Sequence, residues 1–241
     1  VIYAVLFFGK TFPKPQVEEA NSLSQNFKAM ISPVYGFLFF CMALTAISEF
    51  GPGQWVSVVL SSSGAEPMII LALTSGLMAV GRWFSGPVVG KLGQTGTLLF
   101  GAIFATLGIY MFSTVTGPTA YLAAVIFAMG VCYFWPVMIG SVAQRVPKSS
   151  ALGMSIVGGV GMFSTSIFQP IIGGWIDSAR EQNSASGLTG NALDLATGQE
   201  ALQKMMTFPA ILIVLFIIFF IWQKNSKKSP SELEMTMSTG H

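Results

Sequence analysis

Glu49 stands inside a long apolar stretch, directly ahead of a Gly51-Pro52-Gly53 run that leads into Gln54 and Trp55. Placing an ionised carboxylate in lipid costs about 3 kcal/mol on insertion scales. Glu49 is therefore expected to line a wet cavity, where it can accept hydrogen bonds or exchange a proton. Gln54 adds a donor and an acceptor, and Trp55 adds a flat apolar face with one N–H. A sugar presents the complementary surfaces, hydroxyl edges and C–H faces. Two more clusters share this character, Tyr133-Phe134-Trp135-Pro136 and Gln169-Pro170. Pro136 leaves a carbonyl one turn earlier without its helical N–H partner, and the resulting kink can aim Tyr133 or Trp135 inward. Arg82 lies deep enough in the next apolar stretch to pair with a carboxylate outside this chain and hold a cytoplasmic gate closed. Each residue also has a plainer use. Glu49 can reach a membrane interface, Trp55 can sit in an aromatic belt, and Tyr133 and Trp135 can be packing residues. Gln169 can bridge two helices, and Arg82 can snorkel to the surface.

Other chemistry is poorly supplied. The single histidine, His241, is the last residue, so His-based catalysis and His-ligated metals are not expected. Cys41 and Cys132 lie in apolar surroundings and read as small buried hydrophobes. The glycine-rich stretch 153–161 is not followed by the Lys-Ser/Thr pair of a phosphate loop. No metal, cofactor or enzymatic activity is expected, because Glu49 alone forms no nucleophile–base or metal-ligand set.

The elements that must position these residues follow from composition. Of 241 residues, 52% are hydrophobic and 9% charged, against about 25% charged in a soluble domain. So few charges cannot cover a soluble surface, which excludes a soluble enzyme and a disordered chain. A net charge of +2 is too small for nucleic-acid binding. Six apolar runs are long enough to span a membrane as helices: 33–60, 68–90, 97–115, 120–142, 152–176 and 208–222, the last extended by Thr207 and Gln223. Glu49 falls 16 positions after Pro33, about 24 Å along the first helix. Gly51-Pro52-Gly53 is expected to interrupt that helix. Residues 178–206 read as one long polar connection, 10–32 as a hydrophilic linker, and 224–241 as a polar tail. The apolar residues 1–9 are too few to span and have no charge in front of them, so they are expected to be the end of a truncated helix.

Lysine and arginine orient the spans. With the linker inside, Lys10, Lys14, Lys28, Arg82, Lys91, Arg145, Lys148, Lys224, Lys227 and Lys228 are cytoplasmic, and only Arg180 and Lys204 are outside. That bias follows the positive-inside rule and places the tail inside as well.

Residues 81–93 read Gly-Arg-Trp-Phe-Ser-Gly-Pro-Val-Val-Gly-Lys-Leu-Gly. From Gly86 onward this resembles the cytoplasmic loop motif of the major facilitator superfamily, with Lys91 in the motif's arginine place and Gly93 as its last glycine. Gly90 replaces the motif's aspartate, as in the weaker copy found in the second half of such transporters. Gly86 and Gly90, four apart, also share one helix face, which is expected to admit a neighbouring backbone closely. Lys91 is expected at a helix C-terminus, where the dipole favours a cation. Residues 48–55, Ser-Glu-Phe-Gly-Pro-Gly-Gln-Trp, and the stretch 153–177 resemble the seventh and eleventh helices of the fucose-permease-like, sugar:proton symporter branch. The resemblance implies an all-α membrane protein: the six-helix C-terminal half, 33–223, of a twelve-helix transporter, working with a missing N-terminal half. It implies alternating access around a mid-membrane site, with a sugar and a proton as partners, in a bacterial inner membrane. An uncoupled facilitator, an exporter of another solute and a helical membrane scaffold are the alternatives.

Overall fold

The computed structural model describes residues 8–9, 22–61 and 64–226, with the side chains of 56–61 and 226 excepted. The helix end expected over 1–7, the linker up to 21 and the tail beyond 226 lie outside the described residues. Every regular element among the described residues is helical. Five stretches are long and apolar enough to cross a membrane: Pro33–Trp55, Ser85–Phe112, Thr119–Arg145, Pro147–Ala185 and Gly190–Asn225. Pro67–Trp83 is a shorter apolar helix of 17 residues.

Short polar residues fix where the helices start. α1 (Leu23–Met30) falls within the expected linker because Ser22 and Gln25 form a reciprocal cap. The Gln25 N–H donates to Ser22 Oγ at 3.3 Å, and the Ser22 N–H donates to Gln25 Oε1 at 3.0 Å. α2 (Pro33–Ser61) opens on a proline, whose missing N–H costs nothing at that position. Ser32 Oγ accepts the Tyr35 N–H there at 3.3 Å. The expected interruption at Gly51-Pro52-Gly53 does not occur, and α2 runs through it. A proline removes only one intrahelical hydrogen bond, and this turn is held by its surroundings: Gly51 and Pro52 are both buried, and a Cβ on Gly51 would meet Ile172 of α7 and Met205 of α8.

α3 (Pro67–Trp83) ends well before the expected residue 90. Phe84 separates it from α4 (Ser85–Phe112), which is itself bent at Gly93 with φ 70° and ψ 167°. That backbone region is essentially restricted to glycine, so Gly93 is required where the chain turns. The expected fourth span is two helices, α5 (Thr119–Val131) and α6 (Phe134–Arg145), joined at Cys132-Tyr133. After a 3-10 turn at Pro147–Ser149 come α7 (Ser150–Ala185), α8 (Gly190–Met205) and α9 (Thr207–Ser226). Within the long polar connection expected over 178–206, residues 178–185 and 190–205 are helical. α7 continues past its apolar part, and α8 packs back on α7 and α2. Its buried side is made of short residues, Thr197, Gly198 and Ala201 with Leu202, which composition reads as polar.

α2 is the central element, packed against α6, α7, α8 and α9. The Tyr35 hydroxyl ties it to α7 by donating to the Gly153 carbonyl at 3.0 Å. α4 and α5 meet along a seam of small residues. A Cβ on Gly108 would lie 2.6 Å from the Phe127 backbone, and one on Gly130 would strike the Ala105 backbone. Dispersion across such a seam replaces the hydrophobic drive that lipid does not supply. The close approach expected at Gly86 and Gly90 is not made among the described residues, since a Cβ at either meets nothing within 4 Å.

We predict that Gly130→Ala lowers stability by about 1–3 kcal/mol, the usual cost of overpacking. Gly158→Ala, whose Cβ meets nothing within 4 Å, serves as the control. Cys41 and Cys132 are free and buried, so heating with a thiol-reactive fluorophore reports unfolding. Equal melting temperatures for the two variants would contradict the seam.

Candidate functional site

Helix α3 presents Ser75, Met78, Ala79 and Arg82 at steps of three and four, so all four lie on one face. Opposite this face are Glu49 and Phe50 of α2, with Trp135 of α6 and Met162 of α7 completing a cavity of about 470 Å³. That volume falls within the range of small-molecule sites.

An ion pair crosses the cavity. Arg82 Nη2 donates to Glu49 Oε1 at 3.0 Å, where the Glu49 side chain is 6% exposed and that of Arg82 41%. Arg82 Nε donates to the Cys132 carbonyl at 3.0 Å. That carbonyl is free because Pro136, four residues later, has no N–H to give it. The proline thus performs two tasks: it bends the chain between α5 and α6, and it supplies an acceptor that fixes the guanidinium. The expected partner for Arg82, a carboxylate outside this chain, is replaced by Glu49 within it. Arg82 thus has a partner within the bundle although its side chain stays 41% exposed.

Two polar atoms of residues that line the cavity have no partner among the described residues. Glu49 Oε2 and Trp135 Nε1 are both buried and unbonded. An unmade bond at a buried polar atom costs about 1–3 kcal/mol, so each marks a point where a further partner would stabilise the site. The Trp135 ring is fixed in place. Phe50 meets it edge-on at a centroid distance of 5.9 Å, and Gly161 leaves the room its ring occupies, since a Cβ there would lie 3.0 Å away. The cavity therefore offers an acceptor, cationic N–H donors, an indole donor and an aromatic face.

The remaining candidates are distributed elsewhere. Trp55 Nε1 donates to Gln169 Oε1 at 3.1 Å, and Gln169 Nε2 is buried without a partner. This second pair lies six residues beyond Glu49, about 9 Å further along α2. Gln54 is exposed and joins neither group. Tyr133 is buried beside Cys132 and does not line the cavity. Gly86 lines a separate cleft with Ser85, Val89 and Pro136, and Gly93 lines another at the kink of α4. Lys91 is exposed.

No protein-family model, curated protein or solved structure matches this chain. The site is thus characterised by its own geometry: an ion pair, two unsatisfied polar atoms and a fixed indole in an apolar helical bundle.

Sequence reasoning missed Ser75, Met78, Ala79, Phe50 and Met162 as lining residues. The signal for the first three was present in their helical spacing from Arg82. Nothing local marks Met162, which reaches the cavity only through the packing of α7.

Proposed function

We propose that this chain is the six-helix C-terminal half of a secondary active transporter that moves a small polar solute, a sugar in class, by alternating access with proton coupling. The observation that carries the reading is the cavity in which Glu49 Oε2 and Trp135 Nε1 are buried and unbonded beside the Glu49–Arg82 pair. A scaffold has no use for unsatisfied polar atoms and an ion pair between apolar helices, whereas a solute with several hydroxyls recovers their cost. The indole face supports a sugar over a plain ion, because a pyranose ring stacks its C–H face there. The carboxyl supports proton coupling as a group able to load and release a proton. The open face along Gly86 and Gly90 suits a second six-helix half, and the likeness of residues 86–93 to the major facilitator loop motif agrees. The proposed location is a bacterial inner membrane, with the linker and the tail cytoplasmic.

Two tests follow. Ser184→Cys is expected to react with an impermeant maleimide from outside the cell, and Lys148→Cys only after permeabilisation; both positions are exposed. A reversed pattern overturns the orientation. Reconstituted alone, this chain is expected to insert without catalysing uptake, because a site between halves stays open to lipid. Saturable, stereoselective uptake by this chain alone would falsify the half-transporter reading.

A further inference from the structure

The charges of the bundle are sorted between its two ends. Following the helices in order, Lys28, Lys91, Arg145, Lys148 and Lys224 fall at one end, and no acid among the described residues accompanies them. The opposite end carries Glu66, Asp177, Glu181, Asp194 and Glu200. Its two cations are neutralised, Arg180 by Asp194 at 2.6 Å and Lys204 by Glu200 at 2.9 Å.

At the basic end, Arg145 has only neutral partners. Its Nη2 donates to Thr95 Oγ1 and to Gln223 Oε1, each at 3.0 Å, and Thr95 Oγ1 donates to the same Gln223 oxygen at 2.9 Å. The guanidinium lies over the Phe219 ring, 4.6 Å from its centre, and its Nε is buried without a partner. Thr95 and Gln223 are also walls of a cavity of about 280 Å³ between the kink of α4 and the end of α9. Lys224 and Gln94 line the polar side of that cavity, and Leu92 and Phe220, both exposed, line its apolar side.

We infer that this cavity holds the phosphate headgroup of an anionic phospholipid, with an acyl chain lying against Leu92 and Phe220. Among the described residues no acid pairs with Arg145 or Lys224, whose positive charge selects an anion, and Thr95, Gln94 and Gln223 supply polar contacts around it. The apolar wall on the exposed side favours a lipid over a free anion. The inference rests on the membrane-spanning reading of the helices and is independent of what the Glu49 cavity transports.

The test is native mass spectrometry of the chain in neutral detergent, titrated separately with phosphatidylglycerol, phosphatidylcholine and inorganic phosphate. Phosphatidylglycerol is expected to bind with a stoichiometric first site and more tightly than phosphatidylcholine. Lys224→Gln is expected to weaken that site by about fivefold, the value of one cation near a headgroup. Gly96→Leu fills the cavity without changing charge, at a position where a Cβ makes only ordinary contact, and is expected to weaken the site as well. Lys28→Gln removes a cation of the same end that sits on α1, packed instead on the 3-10 turn and α7, and is expected to leave the site intact. Equal losses in Lys28→Gln and Lys224→Gln, an unaffected Gly96→Leu variant, equal binding of phosphatidylcholine, or displacement of the lipid by millimolar phosphate would each overturn the proposal.

Discussion

In the complete transporter that we propose, Glu49→Gln is expected to lower uphill solute uptake by about tenfold or more while leaving membrane insertion intact. Glutamine keeps the size of the side chain and one acceptor, but loses the charge that Arg82 engages and the proton that the carboxyl can carry. Hydrogen bonds to charged groups are worth about 1.5–3 kcal/mol, and 1.4 kcal/mol is a factor of ten. Counterflow divides the possible causes. If uphill uptake fails while counterflow survives, Glu49 couples the proton. If both fail, it binds the solute. Uptake unchanged at every external pH contradicts a role in the cavity and leaves Glu49 a structural partner of Arg82.

The second large effect is on stability. We predict that Arg82→Met alone destabilises the bundle by about 1–3 kcal/mol, because it leaves a nearly buried carboxylate without its cation and the Cys132 carbonyl without its donor. The value is set below that for a fully buried pair because Arg82 is 41% exposed and screened by solvent. The double variant Arg82→Met with Glu49→Gln is expected to recover most of the loss, since removing both partners leaves no unpaired charge. Melting followed through the buried Cys41 and Cys132 thiols measures each form. Additive losses in the double variant would show that Arg82 acts through packing of its stem and not through the pair.

How far these features could be read in advance depended on their range. The helices of 33–61 and 207–226 were legible from their apolar length, and the bend at Cys132-Tyr133 from Pro136, because both signals are local. The use of the freed Cys132 carbonyl was not legible. Its donor, Arg82, is 50 residues away, and only the packing of α3 on α5 brings them together. The Glu49–Arg82 pair was hidden for the same reason, although each residue was recognisable as a charge needing an answer. Gly51-Pro52-Gly53 misled because breaker residues act against isolated helices, whereas this turn is held by the side chains around it. The helix of 190–205 was hidden in the opposite sense: beside Thr197, Gly198 and Ala201 its buried face has only Leu202 and Met205 as large apolar residues, so it carries little hydropathy to detect. Gly86 and Gly90 are four apart on one helix, yet among the described residues a Cβ at either position meets nothing within 4 Å.

Solute protection of a cysteine in the cavity tests the central claim most directly. Ala79 lines the cavity and is exposed within it, so Ala79→Cys in proteoliposomes of the full-length gene product can be alkylated by a small maleimide. The account predicts that one sugar stereoisomer slows the reaction and its epimers do not, and that adding Glu49→Gln removes the protection. Alkylation at the same rate with every sugar tested, or protection that survives Glu49→Gln unchanged, would contradict it.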